Sequence, residues 1–460
     1  MRFVISVVLI SWFALTAGAE LPRRTALDDY VAKADSTYEW KVEKSVVGSA
    51  ATTTIIKLKS QSWRTRKDVD RTVWEHWLIV VRPKVVKTNT AFLMIGGGRN
   101  GRSAPGGASR SVSQIAAMSG SVVIELKAIP NQPLVFHGDG QKRTEDDLIG
   151  YAWDQYLKTG DATWLPRLPM VKSVVRAMDC LQEWSSKEGR RIEKFVVAGA
   201  SKRGWTTWMT GAVDRRVQAI VPIVIDVVNV APSIRHHAEV YGFWAKAVGN
   251  YYQHKILQRH DDPRMPPLYR IVDPYFYRHR LTMPKYIINA AGDQFFCPDS
   301  SQFYFDKLEG EKLLRYVPNV DHGVRTPDAV TSMTAFYQMV VAGRPRPKPT
   351  WTFRKDGSIR VSSAVRPKKV VMWQATNAKT RDFRLRTIGK AFSSTALKPG
   401  SDGSWVARID TPTMGWTAFF VELTYDSGEV FPLIVTTSVR VLPVTLPHKG
   451  VDLKLVPYER

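Results

Sequence analysis

Short unbroken apolar runs alternate with segments whose apolar residues recur every three or four positions. The runs at 90–95, 121–126, 192–198, 217–225, 285–290 and 313–317 predict strands buried on both faces. The helical spacing predicts helices near 109–118, 170–187, 205–213, 300–308 and 329–341. Upstream, 37–60 and 71–82 are rich in Val, Ile, Thr and Trp with partial alternation, which predicts antiparallel strands. Strands alternating with helices imply a mostly parallel sheet covered by helices on both sides. The pattern breaks at Arg344-Pro345-Arg346-Pro347-Lys348-Pro349, where alternate prolines predict an extended, semi-rigid linker at 344–350. Beyond it, strand-like runs at 358–364, 369–374, 405–409, 418–425 and 431–441 recur without a helical segment. They predict an Ig-like β-sandwich over 351–460.

The first residues follow a different pattern. A single Arg2 precedes a nearly unbroken apolar stretch from Phe3 to Ala17, and Ala17-Gly18-Ala19 fits a small-x-small cleavage site. This predicts a secretory signal peptide over 1–19, cleaved after Ala19, and a secreted or periplasmic product. The apolar stretch is shorter than the roughly 20 residues of a membrane span, and no later segment approaches that length, so no integral membrane segment is expected in the mature chain. Export permits disulfides, but Cys180 and Cys297 carry no spacing signal, so a single bridge stays an open expectation.

Composition changes the picture only in part. A 44% hydrophobic content with 23% charged residues supplies a large core and excludes a mainly disordered chain of 460 residues. The net charge of +24 favours anionic surfaces as partners, the cell envelope among them. Basic clusters such as Arg64-Thr65-Arg66-Lys67 lack any accompanying nucleic-acid module, so no nucleic-acid partner is expected.

The chemistry sits where strands end. Residues 195–205 run from a strand through Gly199-Ala200-Ser201-Lys202-Arg203-Gly204 into a helix. A nucleophilic serine needs this context: a sharp turn between small residues that leaves Oγ free above the sheet. The usual glycine two places after the serine is Arg203 here, and Gly204 follows at the third place. The remaining catalytic groups should follow as acid and then histidine, each after a later strand. Asp293 ends the strand at 285–290 and His322 follows the strand at 313–317. His322 would take the Ser201 proton, and Asp293 would hold its ring. Asp226, at the end of the preceding strand, is the alternative acid, and Asp321 is a rival beside His322. The expected oxyanion donors are the backbone N–H of Lys202 and of the loop Gly97-Gly98. Arg203 is expected near the substrate. His236-His237-x-Glu239 does not have the spacing of a zinc motif, so neither metal nor any other cofactor is expected.

The blocks Gly199–Trp208, Ile225-Asp226-Val227-Val228-Asn229, Arg235-His236-His237 and Glu145–Tyr151 resemble the PhoPQ-activated pathogenicity-related protein family. The resemblance implies an α/β-hydrolase fold over 20–343, and secreted proteins linked to cationic-peptide resistance. The Gly-x-Ser-x-x-Gly spacing also resembles that of glucuronoyl esterases, which implies a small-molecule or carbohydrate ester as substrate. The segment 227–282 lies where hydrolases insert a cap, and its Tyr241 and Trp244 are expected to line a substrate cleft with Arg203. The plainer expectation is a helical cap whose aromatics fill its own core. Two functions follow: a secreted serine esterase, or a non-catalytic hydrolase-fold protein that holds anionic polymers.

Overall fold

The computed structural model describes residues 24–189 and 191–459; the expected leader at 1–19 lies outside them. Nine strands form one large sheet: β1 (Glu39–Val47), β2 (Ala51–Ser62), β3 (Val73–Pro83), β4 (Thr90–Ile95), β5 (Val123–Leu126), β6 (Lys194–Ala200), β7 (Val217–Ile223), β8 (Lys285–Ala290) and β9 (Lys312–Val317). Their spatial order is β1-β2-β3-β5-β4-β6-β7-β8-β9. The first three strands and the β3–β5 junction are antiparallel, and from β5 to β9 every pairing is parallel. This strand order, with its β3-β5-β4 crossover and a serine turn after β6, is the α/β-hydrolase arrangement. β8 is buried at all six positions, as a strand covered on both faces must be.

Helices Arg167–Lys187 and Lys202–Val213 cover one face, and Arg110–Ser119 and Pro327–Val341 cover the other. Helix Lys202–Val213 is buried on nearly every side, and its threonine hydroxyls find partners within it. The hydroxyls of Thr206, Thr207 and Thr210 each donate to the carbonyl four residues back, at 2.8–2.9 Å. Trp208 is fully buried on this helix, a contribution of roughly 2–3 kcal/mol in apolar burial. The segment expected to be a helix at 300–308 is instead two 3₁₀ turns, Ser300–Phe303 and Phe305–Lys307. Their break at Tyr304 carries that ring inward to Asp226.

The C-terminal segment forms two antiparallel sheets. One holds β10 (Thr350–Phe353), β11 (Ile359–Ser362) and β14 (Trp405–Ala407). The other holds β12 (Lys369–Asn377), β13 (Ser393–Ala396), β15 (Trp416–Tyr425), β16 (Leu433–Thr436) and β17 (Arg440–Leu442). Ile359, Val361 and Ala407 share one apolar cluster with Phe419, Val421 and Leu423 across the sandwich. A helical turn, Leu385–Ile388, interrupts the strands. β9 would be an open edge of the large sheet, and open edges invite unwanted pairing. Here β16 covers it: the Tyr316 amide donates to Thr436 Oγ1 at 2.9 Å, and the Ile434 amide anchors β16 to Ser332 Oγ of helix Pro327–Val341 at 2.9 Å. The proline-rich run between the two parts is fastened, with Arg344 on Glu429 and Arg346 on Glu311.

Among the described residues, no helix is long and apolar enough to cross a membrane. Cys180 and Cys297 are both free and buried, and burial pushes both thiols well above their ordinary range.

Candidate active site

Ser201 sits between β6 and helix Lys202–Val213 at φ 58° and ψ −126°. A non-glycine residue in that region stores about 1–3 kcal/mol, so its surroundings must enforce it. The Ser201 amide donates to Ile223 O on β7 at 2.8 Å, and the Trp205 amide donates to Ser201 O at 2.9 Å. Two glycines let the turn close. A Cβ on Gly199 would lie 2.6 Å from Arg203 O. A Cβ on Gly204 would lie 2.9 Å from both Gly199 O and Ile223 O. The glycine at the third place after the serine therefore does the close packing, which frees the second place for Arg203.

Asp293 and His322 meet at the carboxyl ends of β8 and β9. His322 Nδ1 is 2.8 Å from Asp293 Oδ2, whose other oxygen accepts from the Phe295 amide at 2.7 Å. The His322 amide donates to Gln294 Oε1 at 3.1 Å. The imidazole packs on Phe295 at 4.4 Å and Phe296 at 5.9 Å between ring centroids. With Nδ1 on the carboxylate, the proton-accepting atom is Nε2, which is buried without a hydrogen-bond partner, Ser201 Oγ included.

The alternative acid is engaged elsewhere. Asp226 is buried and accepts from Tyr304 OH at 2.7 Å and Tyr316 OH at 2.5 Å. Burial raises its carboxyl to about 7, against the pull of those two hydroxyls. Asp321 caps its own turn through the Gly323 amide.

Arg203 is turned into the scaffold rather than toward a substrate. Its guanidinium grips Glu145 at 2.9 and 2.5 Å and donates to Ile129 O at 2.6 Å. Glu145 also takes Lys202 Nζ at 2.8 Å. Burial opposes ionisation of Glu145, but Arg203 and Lys202 overcome it and hold the carboxyl at about 2. Gly97 is needed for this arm, because a Cβ there would lie 2.7 Å from Arg203 Nη2. Gly98 has φ +143°, and neither glycine lines the cavity described next. Lys202 opens the helix, so its amide is one of the first-turn N–H groups that a helix cannot satisfy itself.

A cavity of about 80 Å³ lies between Ser201 and the cap. The cap supplies Val227, Val230, Ile234, Val248, Ile256 and Leu257, together with Tyr251. Phe295 and Phe296 form the wall they share with His322, and Trp153 and Trp205 close the opposite side. The cap thus lies over Ser201, with a lining that is aliphatic apart from Tyr251. Tyr241 is buried against His237 and Phe243 with the Arg384 guanidinium 4.9 Å away, outside this cavity. Trp244 is stacked on His237 and lines an adjoining void, which shares Phe295 and Phe296 with the first. One lining cation went unnoticed in the sequence: Arg167, the first residue of its helix.

The histidine pair is held by ordinary partners. His236 Nε2 is 2.9 Å from Asp299, which also takes Arg381 at 2.7 Å. The Cys297 thiol lies within 4.8 Å of both ligand atoms, but the guanidinium on the same carboxylate makes this an ion-pair cluster. His237 Nε2 accepts the Ala245 amide, and burial pulls that imidazole down to about 3.

Residues 27–384 match the family described as PhoPQ-activated pathogenicity-related protein. The chain is 39% identical over 452 residues to autocrine proliferation repressor protein A of Dictyostelium discoideum, covering 92% of this chain and 91% of that protein. Among solved structures it is similar to acetyl xylan esterase 1 from Thermoanaerobacterium sp., with TM-score 0.47 and 14% identity over 68% of this chain and 92% of that one. An acetyl xylan esterase from Paenibacillus sp. R4 gives TM-score 0.46 and 13% identity, over 68% and 90%.

Proposed function

The chain belongs to the PhoPQ-activated pathogenicity-related protein family, and for this member we propose a secreted serine esterase that works through Ser201, His322 and Asp293. Its catalytic unit is 20–343 with the cap at 227–282, the linker is 344–350, and 351–460 is a sandwich domain. The observation that carries the reading is the imidazole of His322. One nitrogen is fixed on Asp293 at 2.8 Å, the other is buried and unpartnered, and the ring packs on Phe295 and Phe296, which line the same cavity as Ser201. A buried polar atom without a partner is costly, and a site that completes itself on binding substrate accounts for it.

The chemistry follows from those positions. Ser201 Oγ attacks the ester carbonyl carbon as its proton passes to His322 Nε2, and Asp293 stabilises the resulting cation. The carbonyl oxygen becomes an oxyanion facing the amide of Lys202, which lines the cavity beside Ser201. The tetrahedral intermediate collapses, the C–O bond to the alcohol breaks, and Nε2 gives its proton to that oxygen. Water then attacks the acyl-Ser201 by the same route, releasing the acid and restoring the hydroxyl. An apolar cavity of ~150 Å³ takes a benzene ring. At about 80 Å³ this one suits a short acyl group, a small carbohydrate ester among the candidates.

The test is hydrolysis of 4-nitrophenyl acetate by the wild type and by Ser201→Ala. Turnover that disappears with the hydroxyl supports the reading, and equal rates remove it. A second reading, a non-catalytic protein holding anionic envelope polymers, is favoured by the net charge of +24 and predicts no turnover in either protein.

A further inference from the structure

The cluster of charges beneath the serine turn does not balance. Arg203 and Lys202 share Glu145, and Lys202 also reaches Asp146 at 3.3 Å. Asp146 in turn accepts from Tyr251 OH at 3.2 Å. Two carboxylates are thereby answered by two cations. Arg167 is the third cation at this place, and among the described residues no carboxylate pairs with it. It is 1% exposed. Its Nη1 donates to Lys202 O at 3.1 Å and touches Met170 Sδ, its plane lies 4.4 Å from the Trp205 ring, and its Nε is buried without a partner. The same side chain lines the largely apolar cavity that holds Ser201, whose other charged lining residues, Lys202 and Asp146, are paired within the cluster.

A guanidinium taken out of water without an anion is strongly disfavoured, since the charge loses its hydration and gains no counter-ion. Burial pulls Arg167 down to about 10. A carbonyl, an indole face and the fields of Asp146 and Glu145 compensate part of this cost, but no carboxylate lies within ion-pair distance of the guanidinium among the described residues. The planar fork of an arginine suits a carboxylate.

We propose that Arg167 is the counter-ion for an anionic group on the substrate, so that the enzyme selects short esters carrying a carboxylate close to the scissile bond. The proposal rests on the esterase reading of the same cavity. The carboxylate could belong to the acyl part or to the alcohol part, and the chemistry that recognises it is the same.

Two matched pairs separate these cases. Monomethyl succinate carries its charge on the acyl side, and methyl levulinate is its neutral counterpart. Acetoxyacetate carries it on the alcohol side, with acetoxyacetone as its neutral counterpart. Hydrolysis followed by NMR should show kcat/KM about 10- to 100-fold higher for the acid in at least one pair, the scale of a desolvated charged hydrogen bond. Arg167→Met should bring the acid-to-neutral ratio within each pair to about 1, and Arg167→Lys should retain part of the preference. A merely structural Arg167 would lower both members of a pair together. Equal or inverted preference in the wild type for both pairs overturns the proposal, whether or not the variants fold, and leaves the esterase reading standing. If none of the four is hydrolysed, the esterase reading fails. Calorimetry of monomethyl succinate and acetoxyacetate on Ser201→Ala then decides the anion site alone. Binding tighter than that of the neutral counterparts supports it, and equal or absent binding refutes it.

Discussion

Gly204→Ala should destabilise the protein although alanine is the better helix former. Gly204 lies in the first turn of helix Lys202–Val213 and has no left-handed φ, so backbone preference alone favours alanine by about 1 kcal/mol. The space argues the other way. The added Cβ would stand 2.9 Å from Gly199 O, 2.9 Å from Ile223 O and 3.1 Å from Ile223 N. All three are backbone atoms of β6 and β7, so no side chain can swing aside. Overpacking of this kind costs about 1–3 kcal/mol, and against the gain in helix preference the net expected is a loss of up to roughly 2 kcal/mol. The displacement also falls on the Ile223 carbonyl that holds the Ser201 amide. Gly106→Ala is the control, since nothing lies within 4 Å of its Cβ position. Urea unfolding of both variants beside the wild type measures the difference, and the rate of Ser201 acylation by 4-nitrophenyl acetate reports the turn. A Gly204→Ala protein as stable and as reactive as Gly106→Ala would refute the account of the turn.

Ser201→Ala and His322→Ala should each lower kcat by about 10⁴ or more, and the double variant little further, because groups that act as a unit are not additive; additive losses in single-turnover kinetics would separate them. Asp293→Asn should cost orders of magnitude in kcat with circular dichroism unchanged, whereas Asp226→Asn should have a milder effect; the reverse ranking would move the acid to β7. Asp226 is raised to about 7 in the fold, so the folded state holds a proton there that the unfolded chain releases near pH 4. Its contribution therefore falls as pH rises from about 4 to 7. Asp226→Asn should melt higher than the wild type above pH 7, with the gap closing toward pH 4, and a pH-independent gap in thermal melts would contradict this.

Strand ends were the legible part of the site. Asp293 and His322 follow apolar runs that form the neighbouring parallel strands β8 and β9, so their meeting follows from chain order and parallel pairing. The rule of a glycine two places after the serine was less informative than the local geometry. What matters is a missing Cβ facing Gly199 and Ile223, and Gly204 supplies it from the third place. Nothing local in the sequence reveals the partner of Arg203, Glu145, which lies 58 positions away and holds the guanidinium in the scaffold. The same long-range pairing hid Arg167: its significance is a charge left over when the neighbours are matched, which no window of sequence shows. The cap was legible as an insertion from its place between β7 and β8. The direction of its aromatics was not, since Tyr241 and Trp244 pack on His237 while Tyr251 and a set of aliphatic side chains face Ser201.

The central claim is that Ser201 is a nucleophile activated by His322. Treating the folded protein with a fluorophosphonate and mapping the adduct by tandem mass spectrometry tests it directly. The account predicts a single adduct on Ser201, lost in Ser201→Ala and formed far more slowly in His322→Ala. A folded wild type that takes no label, or carries it on another residue, would contradict it.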